Sequence, residues 1–256
     1  MIANYHTHTI RCKHAEGTEE EYIESAIRNG IRILGFSDHT PYFFPDNYIS
    51  RIRMTPDQLP DYVRTLKKLK EKYKDKIEIH TGLEAEYYPD LFPQLLEYLK
   101  ENSIEYLILG QHRLGNGIDD FYCGWETEDE NLLDRYCTQC TEAMETGLFT
   151  YFAHPDIFNF TGDEKIYRKY MRKLCREANK CKMPLEINFA GLEEGIQYPN
   201  PVFLETAAEE NSTVIMGVDA HEPSAFDRHE TEERILKFVK KLGLHLIDTV
   251  QLKPLR

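Results

Sequence analysis

Nine side chains in this sequence are of types that bind divalent metal ions, and their positions follow a pattern. Eight lie at or directly after the ends of apolar runs, whereas His14 lies in a short loop after the first run. The set is His6, His8, His14, His39, Glu84, His112, His154, Asp219 and His221. Imidazole and carboxylate groups suit zinc, manganese and iron alike, and each ion takes about four to six ligands. Nine such side chains therefore predict two or three ions.

His6 and His8 are the part of this pattern most typical of a metal site. Side chains two residues apart in an extended chain point the same way, so the two imidazoles can chelate one ion. A His-x-His pair alone is a weak signal, because imidazoles are also common surface groups. The whole set is a stronger one, since unpaired polar groups gathered in one place would be costly without a cation.

The apolar runs predict the strands that deliver these side chains. Runs at 1–5, 31–36, 77–83, 104–110, 148–153, 184–188 and 214–218 alternate with helical segments, and 244–248 is a candidate eighth strand. Helices are predicted over 18–30, 55–73, 89–101, 129–146, 163–182, 200–210 and 229–242, the first with a capping box from Thr18 to Glu21. Strict alternation favours an α/β fold, a parallel sheet closed into a TIM-like barrel with its active site at the carboxyl ends of the strands.

Length and composition limit the possible functions. A chain of 256 residues fits a single barrel domain over residues 1–256, and no linker or low-complexity tract marks a second domain. The net charge of −13 argues against nucleic acid or an anionic membrane as partner, because both would repel the protein. The sequence has no membrane-spanning run and no signal-peptide pattern, so we expect a cytoplasmic protein.

Other residues that could bind metal are better explained as structural. Cys137 and Cys140 form a Cys-x-x-Cys pair in a helical pattern, and no second pair completes a zinc site, so we expect helical thiols. The histidines expected to be core or surface groups are His80, His229 and His245.

Two features have alternative interpretations. Asp38, beside His39, is predicted either to orient a neighbouring imidazole or to serve a loop or helix cap. The aromatic segment 40–54 is predicted to be a long loop on the same rim, where it either shapes a substrate pocket or packs over the barrel mouth.

Six short blocks, in order along the chain, resemble the polymerase and histidinol phosphatase (PHP) superfamily and, within it, the histidinol-phosphatase branch. They are His6-Thr7-His8-Thr9 with His14, Ser37-Asp38-His39, Gly82-Leu83-Glu84, Gly110-Gln111-His112, Ala153-His154-Pro155-Asp156 and Asp219-Ala220-His221. The resemblance implies a distorted (β/α)7 barrel that holds three divalent metal ions, Zn, Mn or Fe. It implies one ion on His6, His8, Glu84 and Asp219, a second on Glu84, His112 and His154, and a third on His14, His39 and His221.

The chemistry implied is hydrolysis of a small phosphomonoester, with L-histidinol phosphate of histidine biosynthesis as the leading substrate. A hydroxide that bridges two ions would attack phosphorus, so no further catalytic side chain is required. Arg113, next to His112, is the first candidate to bind the phosphate group, and Arg11 and Lys13 are weaker candidates.

The sequence departs from the family pattern at one place. Relatives that act on L-histidinol phosphate tend to carry a basic residue after a Gly-Leu pair that follows strand six. Here Gly191-Leu192 is followed by Glu193 and Glu194.

Three other functions are compatible with parts of the pattern. A PHP-type phosphoesterase acting on a different phosphomonoester, or on a nucleotide or nucleic-acid end, would share the metal site, although the net charge of −13 disfavours nucleic acid. An amidohydrolase barrel also opens with His-x-His but usually adds a lysine on strand four, and residues 104–110 contain none. A non-catalytic metal-binding protein would need no open coordination position.

Overall fold

The computed structural model describes residues 1–118 and 120–255. Eight strands in these ranges form one parallel sheet in the order of the sequence. The strands are β1 (Ala3–Asn4), β2 (Ile33–His39), β3 (Glu78–Ala85), β4 (Tyr106–Leu109), β5 (Phe149–Phe152), β6 (Leu185–Asn188), β7 (Thr213–Gly217) and β8 (His245–Ile247). The helices are α1 (Glu19–Arg28), α2 (Leu59–Tyr73), α3 (Phe92–Glu101), α4 (Glu130–Glu145), α5 (Glu164–Lys180), α6 (Phe189–Glu194), α7 (Pro201–Glu209) and α8 (His229–Leu242).

The predicted barrel of alternating strands and helices is confirmed, and the candidate eighth strand is present as β8. The capping box of α1 is also present, with Thr18 N donating to Glu21 Oε2 (2.7 Å) and Glu21 N donating to Thr18 Oγ1 (3.3 Å). The pattern did not predict α6, a helix of six residues directly after β6.

The barrel is distorted, because within the described residues a single isolated β-bridge closes its sheet. β1 is two residues long, and β8 pairs with β7 at the amino-terminal end of the barrel. Beyond β1 and β7, Thr7 and Ala220 form an isolated parallel bridge. In it His8 N donates to Ala220 O (2.9 Å) and Ala220 N donates to His6 O (3.2 Å). This seam at the carboxyl-terminal rim joins the segment that follows β1 to the segment that follows β7.

The core has two parts, one inside the barrel and one between the sheet and the helices. The inner part contains Tyr5, Tyr106 and Tyr151, and Val250 and Leu252 of the segment after β8 pack against it. The larger outer part lies under the apolar faces of the helices. Within the ranges that the structure describes, no helix has the length and apolar character needed to cross a membrane.

Candidate metal centre

The structure brings all nine predicted ligand-type side chains together at the carboxyl-terminal rim of the barrel. His39 and Glu84 lie within β2 and β3, and the others follow the ends of β1, β4, β5 and β7 or, for His14, a 3-10 turn at Ile10–Cys12. The side chains of His6 and His8 are fully buried, and Glu84 is 1% exposed. Groups of three ring nitrogens and carboxylate oxygens lie within 4.8 Å of one another, including His6 with His8 and Asp219, His6 with Glu84 and His154, and His14 with His39 and His221.

Glu84 lies at the centre of this arrangement. Its Oε1 is 2.8 Å from His154 Nε2 and 3.4 Å from His112 Nε2. Its Oε2 is 3.0 Å from His39 Nδ1 and 3.6 Å from the Nε2 atoms of both His6 and His8. The single carboxylate therefore faces two groups of imidazoles, one on each oxygen.

Gly110 makes room for this carboxylate. A Cβ atom at Gly110 would lie 1.9 Å from Glu84 Oε1, which is far inside van der Waals contact. The Gly-x-His block after β4 thus has two roles, because Gly110 leaves space for the Glu84 carboxylate and His112 contributes its own side chain to the cluster.

Asp219 completes the group nearest the seam. Its Oδ1 lies 3.3 Å from His6 Nε2 and 3.1 Å from His8 Nε2. Asp219 and His154 both have positive φ angles, 53° and 31°, which are uncommon for residues other than glycine. Such strain persists only where the surroundings hold it, and it concentrates at functional sites.

A third group lies at the open side of the rim. His14 Nε2 and His221 Nε2 face each other at 3.0 Å. The Nδ1 atom of His14 donates to Cys12 O (2.8 Å) and that of His221 donates to Asp219 O (3.1 Å). Since Nδ1 carries the proton in each neutral ring, two lone pairs point at each other, and a cation between them would remove the repulsion.

Unsatisfied polar atoms provide a test of whether these residues fit metal ions. Buried polar atoms without a hydrogen-bond partner include Nε2 of His6, both ring nitrogens of His8, Nδ1 of His39 and of His154, Oε2 of Glu84 and Oδ1 of Asp219. Each such atom costs about 1–3 kcal/mol when it is left unpaired. These atoms are clustered. The carboxylate oxygens carry lone pairs, and each ring nitrogen does so when it is not protonated, so the site fits cations.

The electrostatics of the cluster without metal ions divide its histidines into two kinds. Burial alone would lower the pKa of His6 and His8, but neighbouring carboxylates, above all Asp219, raise the pKa of His6 well above its ordinary value and that of His8 to about 9. Burial, reinforced by the positive charge of neighbouring imidazoles, lowers the pKa of His39 to about 4 and also lowers that of His221. The imidazoles also lower the pKa of Glu84 and Asp219 against the effect of burial.

Two carboxylates that sequence reasoning missed hold the histidines from behind. Glu186 of β6 accepts from His6 Nδ1 (2.9 Å) through Oε1 and from the His154 backbone N (3.0 Å) through Oε2. Glu86 Oε1 lies 3.2 Å from His112 Nδ1. Such contacts fix the tautomer that presents Nε2 to a metal ion. A signal was available for Glu186, which is an acidic residue in the middle of a buried strand.

Asp38 lies where one of its two interpretations placed it, next to an imidazole. Its Oδ1 is 3.7 Å from His8 Nδ1, which is longer than a hydrogen bond, and accepts from the His39 backbone N at 2.7 Å. Its Oδ2 accepts from the Thr9 hydroxyl. The aspartate is thus held beside His8 by two residues of the rim, Thr9 and His39.

A cleft of about 510 Å³ opens above the cluster. Arg113 lines it, with its guanidinium 5.6 and 5.7 Å from the ring centroids of Tyr122 and Trp125 and donating to Asp120 O (3.1 Å). Glu194 lines the same cleft. The remaining basic candidates are engaged elsewhere, because Arg11 pairs with Glu19 and Asp61 and Lys13 donates to Ser50 O. Neither belongs to the cleft lining.

The other residues set aside as structural lie away from this cleft. Cys137 and Cys140 are buried in α4, and His80 contacts Glu78 and Glu105 lower in the barrel. His229 begins α8 and His245 begins β8.

Some known proteins are similar to this chain in sequence, and solved structures are similar to it in fold. A protein of Deinococcus radiodurans named "Probable histidinol-phosphatase" is 29% identical over 231 residues, 87% of each chain. A protein of the same name from Schizosaccharomyces pombe is 25% identical over 252 residues, 87% of this chain and 81% of that protein. The crystal structure of histidinol phosphate phosphatase from Lactococcus lactis, in complex with zinc, L-histidinol and phosphate, matches with a TM-score of 0.75 at 19% identity, over 97% of this chain and 96% of the other.

The family assignment rests on the sequence from β1 to the start of α6. The PHP domain matches residues 4–190, which include seven of the nine clustered side chains. The two others, Asp219 and His221, follow the end of β7 and complete the same cluster. This chain belongs to the PHP domain family.

Proposed function

We propose that this chain is a metal-dependent phosphomonoesterase that hydrolyses L-histidinol phosphate to L-histidinol and phosphate, a reaction that would serve histidine biosynthesis. The observation that carries the proposal is the set of unpartnered, buried ring nitrogens and carboxylate oxygens around Glu84, at the foot of an open cleft. The substrate is supported by the relatives named as histidinol-phosphatases, which match across most of their length.

The nine clustered residues would hold three divalent ions, in the sets that the resemblance to the PHP superfamily implies. His6, His8 and Asp219 would hold the first with Glu84, and Glu84 would share its other oxygen with a second ion on His112 and His154. His14, His39 and His221 would hold the third. Imidazole and carboxylate ligands accept zinc, manganese and iron, and the related Lactococcus lactis structure contains zinc.

When bound, divalent ions supply a nucleophile by lowering the pKa of a coordinated water and supply positive charge for the phosphate oxygens. The chain's own residues set the geometry for this chemistry. Glu186 and Glu86 hold the Nδ1 atoms of His6 and His112, so both rings present Nε2 to the centre. No further side chain is required as a catalytic group.

Arg113 is the proposed phosphate-binding residue of the chain. It lines the cleft at the residue after His112, and its guanidinium is held by a backbone carbonyl and two aromatic rings. A planar guanidinium held in this way offers two parallel N–H donors to phosphate oxygens. Asp38 is proposed to orient His8 from behind, at the position where the carboxylate and Nδ1 are 3.7 Å apart.

The test combines turnover with metal analysis. Purified protein is assayed on L-histidinol phosphate, other phosphomonoesters and dinucleotides, and its metal content is measured. We expect more than one equivalent of metal and the highest kcat/KM for L-histidinol phosphate. Glu84→Ala should abolish turnover and lower the metal content while the barrel stays folded. A fully active protein without metal would refute the proposal, and so would a Glu84→Ala variant with full activity and full metal content.

A further inference from the structure

The wall of the cleft, above the proposed metal ligands, carries charges that phosphate chemistry alone does not explain. Arg113 contributes a positive charge to the wall and Glu194 a negative charge. The aromatic residues between them are Tyr122, Trp125 and Tyr198. A carboxylate beside the binding site of a phosphate dianion repels it, so Glu194 would weaken binding unless the substrate brings a compensating positive charge.

Glu194 is held in the wall by the local fold. It is the last residue of α6, and Gly195 ends the helix in the left-handed conformation with φ of 65°. Glu193, its neighbour, is also exposed but does not line the cleft. Glu193 is therefore a matched control for Glu194, because both are exposed glutamates of α6 and only Glu194 lines the cleft.

Glu194 lines the same cleft as the aromatic side chains of Tyr122, Trp125 and Tyr198. Burial is the main cause of the raised pKa of Tyr122 and Tyr198, and the negative charge of Glu194 adds to it at both hydroxyls. Trp125 exposes 55% of its surface at the same wall. A ligand group that is both flat and positively charged, or that carries the two features side by side, complements such a wall.

We propose that Glu194 determines specificity by binding an ammonium group on the alcohol portion of the substrate, so that the enzyme selects phosphomonoesters of amino alcohols. This inference rests on the proposed phosphatase activity and adds the part of the substrate that the metal centre does not recognise. The phosphate would occupy the metal and Arg113 end of the cleft, and the alcohol would lie along Trp125 towards Glu194.

Kinetics on matched substrates test the proposal. L-Histidinol phosphate is compared with its deaminated analogue, 3-(imidazol-4-yl)propyl phosphate, in the metal-loaded wild type, Glu194→Gln and the control Glu193→Gln. We expect the ratio of kcat/KM for the amine over that for the analogue to fall about tenfold in Glu194→Gln, mainly through KM, since a charge-assisted hydrogen bond is lost. The ratio should stay at the wild-type value in Glu193→Gln. A Glu194→Gln variant with an unchanged ratio, or a Glu193→Gln variant with the same fall, would overturn the proposal.

A binding measurement separates this inference from the proposed activity. Trp125 is the only tryptophan of the chain, so its fluorescence reports a ligand that enters the cleft. L-Histidinol and 3-(imidazol-4-yl)propan-1-ol are titrated into wild type and Glu194→Gln. Tighter binding of the amine that depends on Glu194 supports the subsite even if the wild type has no phosphatase activity. Equal binding of both alcohols by the wild type overturns the subsite even if the phosphatase activity is present.

Discussion

Arg53 and Glu86 form a buried, bidentate ion pair, with Nη1 to Oε2 at 2.8 Å and Nη2 to Oε1 at 2.7 Å. The same Oε1 atom lies 3.2 Å from His112 Nδ1. Arg53 belongs to the loop at 40–54, and Ile52 beside it lines the cleft. The two roles predicted as alternatives for this loop are therefore combined, because it packs over the barrel mouth and also lines the pocket.

Replacing Arg53 by Met should destabilise the fold strongly. Glu86 would keep its charge in a buried site without its main partner, and such losses cost about 3–5 kcal/mol. The measurement is the free energy of unfolding in urea, with the slope of the transition as a check that the unfolded state is unchanged.

An exposed pair of similar geometry provides the control for this variant. Arg176 makes two contacts with Glu210, 2.8 and 3.1 Å long, on the surface. Arg176→Met should change stability far less, because water replaces the lost partner. Equal losses in the two variants would contradict the importance given to burial of the Arg53 pair.

Glu186→Gln should weaken metal binding without unfolding the barrel. The amide would lose the negative charge that supports His6 and would place an N–H₂ group against at least one of its three N–H donors, which are His6, His154 and Asn188. Loss of such a supporting carboxylate typically lowers metal affinity about 10- to 100-fold. Competition with a chelator measures the change. The control is Glu105→Gln, which removes a carboxylate 2.9 Å from His80 Nδ1 away from the cleft and should leave metal affinity unaltered.

Gly110→Ala and Gly243→Ala should fail in different ways. The new methyl group at 110 would displace Glu84, so we expect loss of metal and activity. Gly243 ends α8 with φ of 68° and open space around it, so alanine there should cost about 1 kcal/mol of stability and leave metal content intact. Metal analysis and thermal unfolding of both variants check the expectation, and a metal-replete, fully active Gly110→Ala protein would contradict it.

Metal binding should release protons at neutral pH. Without metal, the pKa of His8 is raised to about 9, so the ring is protonated at pH 7 and must lose a proton to coordinate an ion. Its contribution to the stability of the metal-free fold is complete below its ordinary pKa of 6.5 and is lost as the pH rises through about 9. Calorimetric titration in buffers of different ionisation enthalpy should show release that fades by that pH. The melting temperature of metal-free protein should fall over the same window, relative to that of metal-loaded protein.

The sequence was sufficient for the strand ends and the ligand-type residues because both follow local rules. Eight of the nine ligand-type side chains lie at or directly after the end of an apolar run, which is also the end of a strand, and all nine lie at one rim of the barrel. The supporting carboxylates were missed because their role depends on distant partners, as with Glu186 and His6 from opposite ends of the chain. Helix α6 was missed because its six residues are too few for a periodic pattern.

The basic candidates show the same limit. Arg113, Arg11 and Lys13 all lie next to ligand-type histidines in sequence, yet only Arg113 lines the cleft. Arg11 forms ion pairs with two carboxylates, Glu19 and Asp61. Asp61 lies in α2, about fifty residues along the chain, so no local sequence pattern predicts this contact.

The seam of the barrel coincides with the metal centre. The Thr7 to Ala220 bridge, the only β-bridge across the seam in the described ranges, lies between His6 and His8 on one side and Asp219 and His221 on the other. An ion held by His6, His8 and Asp219 would therefore act as a cross-link between the two ends of a loop of more than two hundred residues, closing it as a disulfide would. Such an ion would stabilise the closure of the barrel in addition to any role in catalysis. When the metal is removed, the backbone amides on both sides of the seam should be the first to exchange with deuterium.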